Sequence, residues 1–225
     1  MFTVSNAWKA VHPQAHAGIL VMRHVTNPPQ HAELEVRKQS LQDELRSRFA
    51  GQDRSAIAAL PPIQAYNAYY KPFKKSYHVQ LQLESIVFKG KSLPGGAALV
   101  EAMFMAEIRN LLLTAGHDLD ALHLPVTLDA AGGQEQYTLL RGTHQTTKPG
   151  DMLMADRAGV ISSVLYGPDQ RTQITERTRN VLFAVYAPQG IDAGATRQHL
   201  EDIRDNALLV SPAAQVELLA VFGSQ

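Results

Sequence analysis

The sequence predicts an α+β fold, in which helices and strands occupy different parts of the chain. Residues 30–50 and 97–115 carry apolar side chains at helical spacing. From residue 124 to residue 186 the pattern changes to short β-type runs that are separated by turn residues. Helices and strands do not alternate regularly along the chain, which argues against a parallel sheet built from βαβ units.

Composition limits the class of protein. The 225 residues include 21 Lys and Arg and 21 Asp and Glu, so the formal net charge is zero. Hydrophobic residues make up 45% and charged residues 19%, which is typical of a globular chain and not of a disordered or fibrous one. A net charge of zero argues against a strongly basic nucleic-acid-binding protein, but it is compatible with a local basic patch.

Cysteine is absent, which excludes disulfide frameworks, thiolate metal sites, iron–sulfur clusters and cysteine nucleophiles. No run reaches the roughly 18 apolar residues that a membrane-spanning helix needs. The first residues make a poor signal peptide, because polar residues interrupt the approach to a short apolar stretch. We therefore expect a soluble cytoplasmic protein that uses no metal and no cofactor.

The first half of the chain predicts one strand followed by helices. Residues 17–25 form a compact apolar run that is typical of a buried strand, and two prolines follow it closely. Residues 30–50 place apolar side chains on one helical face and charged side chains on the others. A short helix over residues 55–60 is expected to end at the next proline pair.

The clearest helical pattern covers residues 97–115, and Gly116 follows it where a C-terminal cap is expected. Short strands and then two helices are predicted beyond this point. The predicted strands cover residues 124–128, 136–140, 152–155, 160–166 and 181–186, and the predicted helices cover residues 195–206 and 213–221.

A locally basic, aromatic-rich segment lies between residues 66 and 91. Glu84 is the only acid between Lys71 and Lys91, and tyrosines and a phenylalanine are interleaved with the first lysines. One interpretation is an edge that contacts phosphates and stacks on nucleic-acid bases. The other is an exposed loop with buried tyrosines, and the sequence does not choose between them. The lysines of this segment are Lys71, Lys74, Lys75, Lys89 and Lys91.

Common catalytic signatures are missing: the sequence has no nucleophile elbow, phosphate loop, dinucleotide fingerprint or H-E-x-x-H metal motif.

His117 and Asp118 directly follow the predicted helix, at a place where polar groups can converge on a ligand. A histidine beside an aspartate can transfer protons. Equally, Asp118 can cap the next turn and His117 can be a surface residue. His78 follows Lys74 and Lys75 and is either a pocket residue or a structural one.

Four short motifs follow one another in the second half of the chain. Residues 110–120 have the pattern N-x-x-x-x-x-G-H-D-L-D, residues 142–143 a G-T turn, residues 151–156 the pattern D-x-x-x-A-D, and residues 178–183 the pattern T-x-x-V-L-F. In this order and spacing they resemble the tRNA-editing domain of the bacterial phenylalanyl-tRNA synthetase beta subunit, which is formed from its fused third and fourth domains. The resemblance is stronger still to freestanding proteins that consist of this domain, and in looser form it extends back to residue 17.

The resemblance implies a layered β/β/α fold and a single editing-like domain over residues 1–225. The core of the resemblance covers residues 17–190, and residues 191–225 would form a C-terminal helical extension. A pocket would hold the aminoacylated 3′ end of tRNA, where a positioned water and the terminal ribose hydroxyl hydrolyse the ester without a nucleophilic triad.

Residue roles follow from the same resemblance. His117 and Asp118 would be the catalytic residues. The substrate pocket would contain Asn110, His78, Ser163 and Ala184. The tRNA phosphates would be held by Lys71, Lys74, Lys75, Lys89 and Lys91.

Departures from the family pattern bear on specificity. The synthetase has a longer connection where this chain has only Gly116, His117 and Asp118. The glycines that line the pocket in the synthetase correspond to residues near 162–164 of this chain, which are not glycines. The acidic residue that reads the tyrosine hydroxyl falls on Ala184. Because such a buried group discriminates by roughly 10⁴–10⁵, tyrosine is not the expected substrate. A complete synthetase is also excluded, since the 225 residues contain no nucleotide-binding domain.

The leading hypothesis is an aminoacyl-tRNA deacylase that acts in trans on the aminoacylated acceptor end. A second hypothesis is a non-catalytic module that binds RNA or a protein and retains the fold. A third is a hydrolase or binder of a small amino-acid derivative, with no RNA involved. Dependence on intact tRNA separates the first hypothesis from the third.

Overall fold

The computed structural model describes residues 1–223. Its helices are α1 (Asn6–Val11), α2 (Ala32–Arg48), α3 (Arg54–Ala58), α4 (Pro61–Tyr70), α5 (His78–Lys89), α6 (Ala98–Asn110) and α7 (Ala193–Val210). Its strands are β1 (Phe2–Val4), β2 (His16–Arg23), β3 (Thr114–Asp118), β4 (Val126–Ala130), β5 (Gln136–Thr138), β6 (His144–Thr146), β7 (Met152–Asp156), β8 (Gly159–Ser163), β9 (Gly167–Pro168), β10 (Asn180–Ala187) and β11 (Gln215–Gly223).

The longer strands form two sheets. A five-stranded sheet has the order β1-β4-β7-β8-β9, and a four-stranded antiparallel sheet has the order β11-β2-β10-β3. A further pair, β5 and β6, forms a small ribbon. Strands β2 and β10 lie at the centre of the four-stranded sheet and are buried almost throughout. Their continuous apolar sequences suit strands that are covered on both faces.

The two faces of the four-stranded sheet have different neighbours. On one face, α7 packs on β2 and α6 packs on both α7 and β3. On the other face, side chains of the two sheets meet, as where Ile19 of β2 and Met154 of β7 line one small gap. The layers are therefore sheet, sheet and helices, and the predicted α+β, β/β/α fold is confirmed. No helix within residues 1–223 is long and apolar enough to span a membrane.

The end of α6 differs from the prediction. The helix stops at Asn110, where Leu111 adopts a left-handed conformation with φ of 60°, and residues 114–118 form β3. Gly116 therefore lies within a strand and is not a helix cap. A Cβ at Gly116 would lie 2.6 Å from Ile174 Cδ1, so the glycine permits close packing against the sheet. Pairing with β10 has overridden the helical pattern of this segment.

The C-terminal segment also differs from the prediction. Residues 213–221 were expected to be helical, but they belong mostly to β11, which pairs antiparallel with β2. The predicted extension covers residues 191–225, of which residues 224–225 lie outside the described part of the chain. Within residues 191–223 the helix is α7, which begins after the Asp192 cap and is longer than predicted. A strand at this position covers the edge of β2, which would otherwise expose unpaired backbone groups. The helical extension expected from the resemblance is therefore one helix followed by one strand.

The basic, aromatic-rich segment forms two helices and a short connection. The proline pair at residues 61–62, which was expected to end the preceding short helix, begins α4. Tyr66, Tyr70 and Tyr77 are buried, and Tyr66 stacks on Tyr77 with ring centroids 4.1 Å apart. The tyrosines therefore pack inside the protein, while the lysines of the segment are exposed.

Candidate ligand cavity

A cavity of about 300 Å³ opens where α5 and α6 meet the ends of β3, β8 and β9. Its wall is mainly apolar, with a small number of polar side chains, which is the usual character of a small-molecule site. The apolar side chains include Val100, Met103, Phe104, Val164 and Ile174. The polar side chains are His78, Gln82, Glu107, Thr114, Ser163, Gln173 and Tyr186.

Glu107 provides the carboxyl group of the cavity. It lies on α6 and is 2% exposed, and its Oε2 accepts a 2.8 Å hydrogen bond from the backbone N–H of Thr114. The other oxygen, Oε1, has no hydrogen-bond partner among residues 1–223. Burial raises the pKa of Glu107 from 4.5 to about 8, although the Thr114 hydrogen bond opposes this rise. At neutral pH the carboxyl group of Glu107 is therefore largely protonated.

Thr114 connects the cavity to a buried histidine on α7. Its Oγ1 lies 2.7 Å from Nε2 of His199, and Nδ1 of that ring lies 3.2 Å from the side-chain nitrogen of Asn110. Because the amide nitrogen donates, Nδ1 accepts and the ring proton lies on Nε2, which donates to Thr114. Burial lowers the pKa of His199 from 6.5 to about 3, so the ring is neutral. Asn110 does not line the cavity and reaches it only through His199 and Thr114.

A second chain of hydrogen bonds runs behind Tyr186, which lines the cavity. The Tyr186 hydroxyl bonds to Ser162 Oγ, and Ser162 Oγ lies 3.2 Å from His117 Nε2. His117 Nδ1 lies 2.7 Å from Thr172 Oγ1, and the Thr172 hydroxyl donates to Asp169. These five side chains form a continuous network between the cavity wall and the interior of the two sheets.

His117 occupies the middle of this network and is fully buried. It does not line the cavity, and both of its ring nitrogens have partners. Burial lowers its pKa from 6.5 to about 3, with a smaller lowering from Arg171, while Asp156 opposes the shift. The ring is therefore neutral at physiological pH. It contacts a cavity ligand only through Ser162 and Tyr186.

Asp118 lies at the end of β3 and caps the short turn that follows. One carboxyl oxygen accepts a 3.0 Å bond from the Asp120 N–H, and the other accepts a 2.7 Å bond from the Thr178 hydroxyl. This arrangement matches the capping alternative that the sequence left open. The structure separates Asp118 from the cavity, so its predicted catalytic role has no geometric support here.

Three further pocket residues were predicted from the sequence. His78 and Ser163 line the cavity, whereas Ala184 is fully buried between the two sheets and does not line it. His78 begins α5 with an exposed side chain, yet nearby protein atoms partly desolvate the ring and lower its pKa from 6.5. Ser163 Oγ lies 3.2 Å from the Tyr137 hydroxyl, which is itself buried.

The predicted tRNA-binding lysines fall into two groups. Lys71, Lys74 and Lys75 surround the turn before α5, and Lys75 Nζ lies 4.3 Å from the centre of the Tyr166 ring. Lys75 also borders a surface depression that shares Leu140 and Pro168 with the cavity. Lys89 and Lys91 lie at the other end of α5, which is about 18 Å long by helix geometry. All five side chains are exposed and none forms a close ion pair within residues 1–223, although Lys75 is near enough to Asp151 to lower the pKa of that carboxyl group.

Sequence reasoning missed Glu107, Thr114 and Tyr186. Glu107 could have been found from the sequence. It follows Met103 by four residues and therefore lies on the same, apolar face of α6. An acid on the buried face of a helix is uncommon and marks a functional candidate. Tyr186 and Thr114 had no such signal, because only strand pairing brings them to one cavity.

Comparisons with known proteins agree with this architecture. An N-terminal fragment of the phenylalanyl-tRNA synthetase beta subunit from Pyrococcus horikoshii is similar in structure, with a TM-score of 0.50 and 11% sequence identity. The match covers 98% of this chain and 53% of that fragment, so the chain spans about half the length of the fragment. At this identity the similarity concerns the fold alone. No curated protein matches the chain.

The family comparison concerns the sequence directly. The model of the B3/4 domain matches residues 71–207, which include α5, α6, the cavity and most of α7. The protein therefore has a domain like that of the phenylalanyl-tRNA synthetase beta subunit. Because the matched region is more than half of the 225 residues, the chain belongs to the B3/4 domain family.

Proposed function

We propose that the protein is an aminoacyl-tRNA deacylase that binds the charged acceptor end of a tRNA and hydrolyses its ester in trans. The observation that carries this proposal is the position of the cavity beside unpaired lysines. A pocket of about 300 Å³ has the size for an amino-acid side chain with part of the terminal ribose. Charged tRNA is met in the cytoplasm, where we expect the protein to act.

The lysines near the cavity suit a polyanionic substrate. Lys71, Lys74 and Lys75 are exposed and form no close ion pair within residues 1–223, so their charges can reach phosphates, with Lys75 also lying over the Tyr166 ring. The neighbouring depression links Lys75 to the cavity through Leu140 and Pro168. A tRNA end bound along this surface would bring its 3′ ester to the cavity. Such contacts make binding salt-dependent, by about 0.7–0.9 log units per phosphate for each log unit of salt.

Hydrolysis needs a water placed against the ester carbonyl, and the ester is split into a free amino acid and a ribose hydroxyl. His78, Ser163 and Tyr186 reach the cavity and are available to hold such a water. No strong nucleophile is required when geometry holds the reactants together. His117 would act as a positioning residue, because it orients Tyr186 through Ser162. The direct catalytic contact that the resemblance implied for His117 and Asp118 is untested and is not part of this proposal, because neither side chain lines the cavity.

The amino acid is a separate question from the reaction. Ala184, which aligns with the hydroxyl-reading acid of the family, is buried outside the cavity. Glu107 supplies a carboxyl group from a different element, α6. The tyrosine specificity of the synthetase domain is therefore not assigned to this protein.

Release of the amino acid from a panel of correctly and incorrectly charged tRNAs tests the proposal. The Lys74→Ala/Lys75→Ala variant should lose deacylation at low substrate concentration, since its KM rises. Lys9→Ala/Arg197→Ala removes the same number of exposed charges from outside the predicted tRNA-binding segment and is the matched control. The proposal is supported if the wild-type protein and the control release the amino acid from the same charged tRNA, and if the Lys74→Ala/Lys75→Ala variant releases it more slowly.

Two results would contradict the proposal. If no charged tRNA is hydrolysed faster than in buffer, the deacylase function is wrong, and measurable tRNA binding would then favour a binding module. If amino-acid esters without tRNA are hydrolysed as efficiently as charged tRNA, the RNA is not part of the recognised substrate.

A further inference from the structure

The cavity has an uncompensated acidic group. Glu107 is the only acid that lines the cavity within residues 1–223, and no lysine or arginine lines it. His78, at the cavity mouth, is the sole nitrogen base there, and desolvation favours its neutral form. Glu107 Oε1 has no hydrogen-bond partner among the described residues, although the side chain is 98% buried. Oε1 is not among the fully enclosed polar atoms that lack a partner, so it is accessible from the cavity, where a ligand or solvent can satisfy it.

The groups around Glu107 are neutral. The phenol groups of Tyr66, Tyr70 and Tyr77 lie close enough that the carboxylate would raise their pKa, in addition to the larger rise from burial. Thr114 donates its backbone N–H to Oε2 and uses its side chain on His199. None of these groups brings a positive charge. The cavity is therefore complementary to a ligand that carries one.

We infer that Glu107 binds the protonated α-amino group of the aminoacyl moiety, so that the site accepts esters with a free amino group and rejects N-blocked ones. This inference rests on the proposed function, because it takes the aminoacyl end as the occupant of the cavity. Once Glu107 has lost its proton, an ammonium group forms a charge-assisted hydrogen bond to Oε1 and compensates the charge of the carboxylate. An acylated nitrogen carries no charge, so peptidyl-tRNA and formylated aminoacyl-tRNA would be excluded.

Binding would be coupled to proton release. The carboxyl group of Glu107 is largely protonated at neutral pH, and a bound ammonium group would favour the carboxylate. When a protonated amine enters, the Glu107 proton leaves to solvent and an ion pair forms in the cavity. About one proton should be released for each ligand bound at pH 7, where both the free carboxyl and the free amine are largely protonated.

Calorimetric titration with a panel of L-amino-acid amides and their N-acetyl counterparts tests the inference without tRNA. We expect at least one amide to bind, its N-acetyl form to bind at least tenfold more weakly, and the measured heat to depend on buffer ionisation enthalpy. The variant Glu107→Gln keeps an oxygen that accepts the Thr114 N–H but cannot carry a charge. It should bind the amide at least tenfold more weakly and release no proton. Glu33→Gln removes an exposed acid on α2 and is the control.

The possible outcomes separate the inference from the proposed function. Three results would overturn the inference. The amide and its N-acetyl form could bind equally well, the Glu107→Gln variant could bind the amide as well as the wild-type protein does, or no amide could bind. If aminoacyl-tRNA and N-acetyl-aminoacyl-tRNA were deacylated at equal rates, the deacylase function would stand and the inference about Glu107 would be wrong. Amide binding that needs Glu107, together with no deacylation of any charged tRNA, would support the amine site and contradict the deacylase.

Discussion

His117 Nε2 lies 3.2 Å from Ser162 Oγ, across the interface between the two sheets. Ser162 also bonds to the hydroxyl of Tyr186, so one serine connects a fully buried histidine to the wall of the cavity. His117 is on β3 and Ser162 is on β8, so the contact joins the helix-covered sheet to the second sheet. The histidine that the sequence singled out is therefore a link between sheets that supports the cavity from behind.

Replacement of His117 should affect stability as well as activity. His117→Ala leaves Ser162 and Thr172 with lost hydrogen-bond partners and opens a void in the core, which should cost about 2–4 kcal/mol of unfolding free energy. Urea denaturation measures this loss. His123→Ala, which changes an exposed side chain, should cost less than about 0.5 kcal/mol. Equal stability of the two variants would show that the His117 network does not form.

Replacement of Asp118 should affect a local turn and not the chemistry. Asp118→Ala removes the side-chain acceptor for Asp120 N–H and for the Thr178 hydroxyl, at a cost of about 0.5–2 kcal/mol. Because Asp118 does not line the cavity, the rate constant of deacylation should change less than about threefold. Single-turnover hydrolysis of a substrate tRNA measures it. A hundredfold fall in a folded variant would restore the catalytic role that the sequence suggested.

Addition of one methyl group at Gly116 should disturb the cavity wall. In Gly116→Ala the new Cβ would lie 2.6 Å from Ile174 Cδ1, the end of a half-buried side chain that can turn aside, so the expected cost is about 1 kcal/mol. Ile174→Val removes the clashing atom, so the double variant should recover part of the loss. Thermal unfolding of the two single variants and the double variant measures this coupling. Additive losses would show that the contact between residues 116 and 174 is not tight.

The ionisation of Glu107 should make stability fall as pH rises. Its pKa in the folded protein is about 8, above the unfolded value of 4.5, so its contribution is fully present below pH 4.5 and is lost as pH rises toward 8. Over this window the loss from Glu107 is on the order of 4 kcal/mol. Glu107→Gln lacks this titration, so its stability relative to wild type should increase between pH 4.5 and pH 8. Denaturation curves at both pH values measure the difference, and a constant difference would mean that Glu107 is solvated.

Two other buried groups act in the opposite direction at lower pH. Burial lowers the folded pKa of His117 and of His199 to about 3, below the ordinary value of 6.5. Protonation of the unfolded chain therefore favours unfolding as pH falls from 6.5 toward 3. The Glu107→Gln comparison cancels these contributions, because both proteins contain both histidines.

Local patterns predicted much of the fold because they depend on neighbouring residues. The buried strand near residue 20, the amphipathic helix α2 and the short strands of the second half follow from hydrophobic periodicity and turn residues. Hydrophobic periodicity predicted neither the end of α6 nor the strand β11. Both segments contain apolar residues that suit either structure, and pairing with β10 and β2 decides the outcome.

The sequence by itself determined the α+β order of elements, the zero net charge, the absence of cysteine and the basic, aromatic-rich segment. It also pointed to His78 and Ser163, both of which line the cavity. Only the tertiary structure decided that Glu107, Thr114 and Tyr186 meet in that cavity, and that His117 stands behind it. The reason is physical: strand register and the packing of α6 on β3 set these positions, and both depend on contacts between residues that are distant along the chain.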